Sequence, residues 1–252
     1  MSCFLDRILD RSHLAPPLEF GGSDGPVIEF SDVCEYSWQG VLKKNDWRTL
    51  GWDRFVSDAT PPFGRFWMET KTPSELRKQG ETARTWGFLV EGRDYSPITA
   101  AGKKDDPPSK IGWDIKPDDI RWVLVIGCCF EITEMWITGP MVEIAVPVGH
   151  RGQLLLNRDG RVAMAIKVFS FPEFRSPQGA LLAEEFGRQG QRMAAAVLLA
   201  ISWMNSKRVC LQDTRLDDTL EARRRREGRR PLAVCKVMVL EGEVQHANSY
   251  CD

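Results

Sequence analysis

The sequence is poor in the residues and patterns from which an activity is usually read. It has three histidines, His13, His150 and His246, and none stands at metal-ligand spacing from a cysteine. The seven cysteines (Cys3, Cys34, Cys128, Cys129, Cys210, Cys235 and Cys251) are odd in number, widely spread and without a C-x-x-C pair. That pattern excludes a disulfide scaffold and predicts free thiols in a reducing cytosol. No G-x-x-x-x-G-K-S/T, G-x-G-x-x-G or G-x-S-x-G run occurs, so neither a phosphate-binding nucleotide fold nor a nucleophile elbow is expected. No window approaches the roughly 20 apolar residues that span a bilayer. The longest apolar run, Val123 to Phe130, has the length of a buried strand. Acidic and basic residues are threaded through the apolar ones from Phe4 to Arg11, so no signal-peptide core is expected either. With 34 basic and 35 acidic residues the net charge is -1, so any attraction to nucleic acid or an acidic membrane must come from a local patch.

What remains is an ordinary globular composition, 42% hydrophobic and 27% charged over 252 residues. It predicts one α+β domain over 1–252 with three parts: a β-rich body (1–170), a helix, basic segment and strand (171–240), and a polar tail (241–252). Phe4, Leu5, Ile8 and Leu9 have helical spacing and predict a short N-terminal helix over 3–12. Strands are predicted at Val27–Phe30, Phe63–Lys71, Thr85–Glu91 and Arg121–Thr133, the last buried on both faces, with a short helical piece near Ser74–Gln79. Gln153–Leu156 and Arg161–Val168 flank Asn157-Arg158-Asp159-Gly160, a strong hairpin pattern because Asp-Gly supplies the positive φ of a tight return. Residues 94–118 are polar and Pro-rich and predict a long exposed loop.

A long helix is predicted from Ser176 as N-cap and Pro177 as first helical residue. Its apolar residues Leu182, Phe186, Met193, Val197, Ile201 and Met204 recur at three- and four-residue steps. They predict one stripe lying on the sheet, with Gly187 and Gly190 allowing close packing. The chain then reads as a short strand at Val209–Gln212, a basic helix at Thr219–Glu227 and a final strand at Leu232–Leu240.

Three features point toward function. From Lys207 to Arg230 the basic residues Lys207, Arg208, Arg215, Arg223, Arg224, Arg225, Arg226, Arg229 and Arg230 outnumber five acids and leave a charge of +4. Four consecutive arginines cannot share one helical face, because successive residues step by about 100°. Some must reach solvent and could meet phosphates; the competing reading is a solvated helix that pairs with Asp217, Asp218 and Glu221. Second, eight of nine tryptophans precede residue 137. Trp38, Trp47 and Trp52 lie in polar, loop-like sequence, which fits either a partner-binding surface or anchors that pin a loop to the body. Third, Glu69-Thr70-Lys71 at a strand end, with Asp53 or Asp58 upstream, is the minimal pattern of a metal-dependent nuclease, although Thr72-Pro73 breaks the strand at once.

The run Leu198 to Val209, with Asn205, Lys207 and Val209, followed by Arg223-Arg224-Arg225-Arg226-Glu227-Gly228-Arg229-Arg230-Pro231-Leu232 and the strand Val234–Leu240, resembles an uncharacterised family of phage, prophage and plasmid proteins. The Phe66-Trp67-Met68-Glu69 strand resembles an upstream element of the same group. The resemblance implies a mobile-element protein acting inside a bacterial cell and nominates Asn205, Lys207, Arg225 and Gly228; it carries no activity with it. Asn205 would also end the helix, and Gly228 would turn the chain into the last strand.

The leading expectation is therefore an accessory protein that acts by binding a host protein or nucleic acid, without catalysis. It needs no cofactor, metal or membrane, and self-association is left open. The alternatives are a nuclease built on Glu69 and Lys71, and a virion structural or assembly subunit.

Overall fold

A computed structural model describes residues 25–45, 47, 51–71, 85–95, 113–130, 142–168, 177–213, 218–227 and 235–241. The expected helices over 3–12 and Ser74–Gln79, most of the loop over 94–118, the cap Ser176, and the turn from Gly228 to Arg230 lie outside those residues.

The chain is mixed α+β. Among the described residues eight strands form one sheet: β1 (Val27–Phe30), β2 (Arg65–Lys71), β3 (Thr85–Asp94), β4 (Ile120–Phe130), β5 (Val142–Gly149), β6 (Ala165–Val168), β7 (Val209–Asp213) and β8 (Cys235–Leu240). Their order is β6-β5-β4-β3-β2-β1-β8-β7. From β2 through β6 each strand runs antiparallel to the next, and β7 runs antiparallel to β8. Only β1 is parallel to its neighbours, β2 and β8. The C-terminal part thus shares a sheet with the body.

Among the described residues three α-helices accompany the sheet: α1 (Asp32–Lys44), α2 (Pro177–Met204) and α3 (Asp218–Arg226). The helix α1 was not expected: the sequence around Trp38 is polar and loop-like. The signal was present: Ser31 caps the helix by accepting from the Cys34 amide at 3.2 Å, Asp32 and Glu35 sit in the first turn, and Lys43 and Lys44 in the last. Cys34, Trp38 and Leu42, at four-residue steps, are its buried face.

On one side of the sheet Phe66, Met68, Phe88, Leu124, Ile126, Ile144 and Val146 form a continuous core with α1 and α2. Trp67 and Cys129 point to the opposite side, by strand alternation, and are buried there too. The expectation for β4 holds only for its C-terminal half, where Gly127, Cys128 and Cys129 are all buried; Arg121 at its start is exposed.

The helix α2 departs from the single-stripe pattern. All ten residues from Met193 to Ser202 are buried, so its C-terminal half is enclosed on every side. It contacts β4, β5, β6, β7 and α1. At 28 residues, about 42 Å, it is long enough to reach across the seven strand spacings from β6 to β7, roughly 34 Å. The small side chains Ala194, Ala195, Ala196 and Ala200 let neighbours approach its backbone. At Gly190 a Cβ would stand 2.8 Å from the Ile166 side chain of β6, so any larger residue would have to push that side chain aside.

Candidate functional site

The basic segment is divided by the fold. Lys207 and Arg208 are exposed in the turn between α2 and β7, whereas α3 follows the other end of β7. Those two ends are roughly 13 Å apart, at about 3.3 Å per residue. Within α3 the four arginines differ. Arg223, Arg225 and Arg226 are exposed, while Arg224 is 3% exposed. Arg223 pairs with Glu227 at 2.9 Å, one helical turn on, which raises the guanidinium's already high pKa through the hydrogen bond. Arg226 donates to the Ala222 carbonyl at 3.3 Å. Lys207, Arg208 and Arg225 have no side-chain partner among the described residues. Arg229 and Arg230 lie outside them. Stepping by about 100° per residue thus sends one arginine inward and three outward.

Trp38, Trp47 and Trp52, for which the sequence left open a partner-binding surface or a loop anchor, are interior side chains. They are 1%, 5% and 5% exposed. Each indole N–H reaches a backbone carbonyl: Trp38 donates to Ala196 of α2 at 3.1 Å, Trp47 to Leu42 at 2.8 Å, and Trp52 to Trp47 at 2.9 Å. Leu42 is in the last turn of α1, where carbonyls lack helical partners, so Trp47 closes that helix from below while Asn45 caps the Val41 carbonyl at 2.7 Å. The Trp47 ring meets Trp52 and Phe55 edge-on, with centroids 5.4 and 5.5 Å away. These residues anchor the segment after α1 to the core.

The nuclease constellation is not assembled either. Glu69 is buried and accepts from the Trp67 indole at 2.8 Å on the side of the sheet facing away from α1. Thr70, on the opposite face, donates to Glu35 of α1 at 2.8 Å. Asp53 and Asp58 belong to the segment whose Trp52, Val56 and Ala59 pack in the α1–α2 core, so the sheet stands between them and Glu69. Among the described residues no three histidine, cysteine or carboxylate side chains gather where they could hold a metal ion. Cys128 and Cys129 are fully buried, and burial pushes both thiols well up from their usual range.

What the fold does assemble is a cleft that local sequence did not reveal. One wall is Gly51 to Ser57, a short 3-10 turn (Trp52–Arg54) and the residues after it; the other is Gln153 to Val162. The cleft, open to solvent on one side, has a volume of about 390 Å³. The hairpin wall is set by the expected turn: Gly160, at φ +78°, donates to the Asn157 carbonyl at 2.9 Å, and Asn157 to that of Arg161 at 2.8 Å. Leu156 pairs with Val162 across it, but Ala165–Val168 pairs with β5 instead of with Gln153–Leu156.

The other wall is clasped to α2 and to the turn after β5. Ser202 of α2 accepts from the Ser57 amide at 3.0 Å, Ala59 donates to the Gly152 carbonyl at 2.7 Å, and the Asn205 side-chain amide donates to the Thr60 carbonyl at 2.8 Å. All three bonds join residues distant in the chain, which is why sequence reading could not find the cleft. Comparison with protein-family models, with curated proteins and with solved structures finds no match to this chain.

Proposed function

We propose that this chain binds nucleic acid through the basic residues that flank and follow β7, as an accessory protein of a mobile element that acts by binding. The supporting observation is that the side chains of Lys207, Arg208 and Arg225 are exposed and have no partner among the described residues, Arg225 on the same helix as the exposed Arg223 and Arg226 and the other two at the far end of β7. Unpaired surface cations gain most from phosphates, because each contact releases condensed counterions. The mobile-element context comes from the resemblance over Leu198 to Leu240. Burial of Trp38, Trp47 and Trp52 takes support from the rival reading of a protein partner met through those residues.

The test is binding of labelled duplex DNA, single-stranded DNA and RNA over a range of salt. Replacing Arg223, Arg225 and Arg226 with serine, and separately Lys207 and Arg208, should weaken binding and flatten its salt dependence. The log–log slope should fall by roughly 0.9 for each duplex phosphate that the variant no longer neutralises. No binding by the unaltered chain at low salt sinks the reading.

A further inference from the structure

We infer that the cleft between Gly51–Ser57 and Gln153–Val162 is a binding site for a small amphiphilic amine, with an aromatic or branched apolar body and one ammonium group. Its volume, about 390 Å³, falls in the range of small-molecule sites and suits a two-ring ligand of about twelve to twenty non-hydrogen atoms. The apolar lining is Trp52, Val56, Leu154, Leu156 and Val162. Leu156 is 51% exposed, one of few large apolar side chains so placed, and stands where a ligand would cover it.

The polar groups of the lining select the charge. The Ser57 hydroxyl is engaged with Ser202 at 3.1 Å, and Gln153 Oε1 accepts from the Arg151 amide at 2.8 Å. Asp53 has no partner among the described residues, so its carboxylate is the group left to receive a donor. Arg54 is the nearby opposing charge. Its Cδ and Nε come to 3.9 and 4.0 Å of a Cβ placed on Gly51, but the residue does not line the cleft. Both walls are held before any ligand arrives, one by the hairpin turn and the other by the bonds to Ser202, Gly152 and Asn205, so little ordering cost opposes binding.

Three probes of one shape separate the possibilities: 1-naphthylmethylamine, 1-naphthylmethanol and 1-naphthylacetate, each titrated into the full chain by calorimetry and by NMR of the indole and backbone N–H groups. The amine should bind best and shift Trp52 and the Leu154–Val162 amides. Asp53→Asn should weaken the amine about two- to fivefold, as for an ion pair at an exposed carboxylate, and leave the alcohol unchanged. Leu156→Ala should weaken both. Serine at Arg223, Arg225 and Arg226 should leave amine binding intact, so this site stands or falls apart from nucleic-acid binding. No binding by the amine, equal binding by the carboxylate, an indifferent Asp53→Asn, or shifts confined to residues outside the cleft would each overturn the assignment.

Discussion

Asn205, the residue that follows α2, donates its side-chain amide to the carbonyl of Thr60, 2.8 Å away and 145 residues earlier in the chain. Asparagine often stops a helix by entering the left-handed region. No described residue other than glycine has positive φ, so the helix ends another way. The Asn205 backbone amide still reaches Ile201, Ser206 folds back on the Trp203 carbonyl, and the asparagine side chain is spent on the clasp.

The clasp should be measurable as stability. Ser202 is 4% exposed, and its hydroxyl serves both the amide and the hydroxyl of Ser57. Ser202→Ala removes the acceptor of the Ser57 amide in a partly buried bond and should cost about 1 kcal/mol in chemical denaturation. Asn205→Ala, at an exposed residue, should cost about 0.5–1 kcal/mol. Because both hold the same segment, the double variant should cost less than the sum. Strict additivity would show that the two bonds do not share a structural unit.

Trp38 joins α1 to α2 through its N–H and to β1 through its ring contact with Phe30. Trp38→Ala should lower stability by about 3–5 kcal/mol, whereas Trp38→Phe, which keeps the ring contact with Phe30 but loses the bond to Ala196, should lose about 1–2 kcal/mol. Urea unfolding followed by circular dichroism distinguishes them. A neutral Trp38→Ala would contradict its place in the core.

Arg224 and its neighbours should separate stability from binding. Arg224→Ala removes a buried side chain that has interactions of its own and should cost at least about 1 kcal/mol. Serine at Arg223, Arg225 and Arg226 should shift stability by no more than about 0.5 kcal/mol while weakening nucleic-acid binding. Equal stability losses at all four positions would contradict the one-in, three-out arrangement.

The paired thiols give a pH dependence with a definite sign. Burial raises both Cys128 and Cys129 above their unfolded values, so the folded chain keeps protons that the unfolded chain releases. Their contribution is fully present below the unfolded thiol pKa, near 8.5, and is lost as pH rises from there toward the folded values. Stability should therefore fall above about pH 8.5, and less steeply in Cys128→Ala/Cys129→Ala. In the native chain a thiol reagent at pH 8 should spare both residues and reach them only after unfolding.

Local pattern was enough for much of this molecule. The α+β class, the strands β1 to β3, the Asn157–Gly160 turn, the start of α2 at Pro177 and the strand–basic helix–strand order after it were legible. Each rests on alternation, helical periodicity or turn chemistry within a few residues. The helix α1 was legible in principle from Ser31 and the Cys34, Trp38, Leu42 spacing, but its polar residues hid the stripe.

Tertiary structure alone decided the rest. The order of strands, with β1 between β2 and β8, depends on pairings between residues as far apart as Val27 and Cys235. Indoles in polar sequence suit a surface or a core equally well, and only the carbonyls of Ala196, Leu42 and Trp47 within reach made Trp38, Trp47 and Trp52 interior. The basic run was visible as charge, but β7 divided it and helical rotation buried Arg224. The cleft exists because Ser57, Ala59 and Thr60 bond to Ser202, Gly152 and Asn205. Spacing along the chain fixes which residues share a face, while which faces meet depends on the closure of long loops.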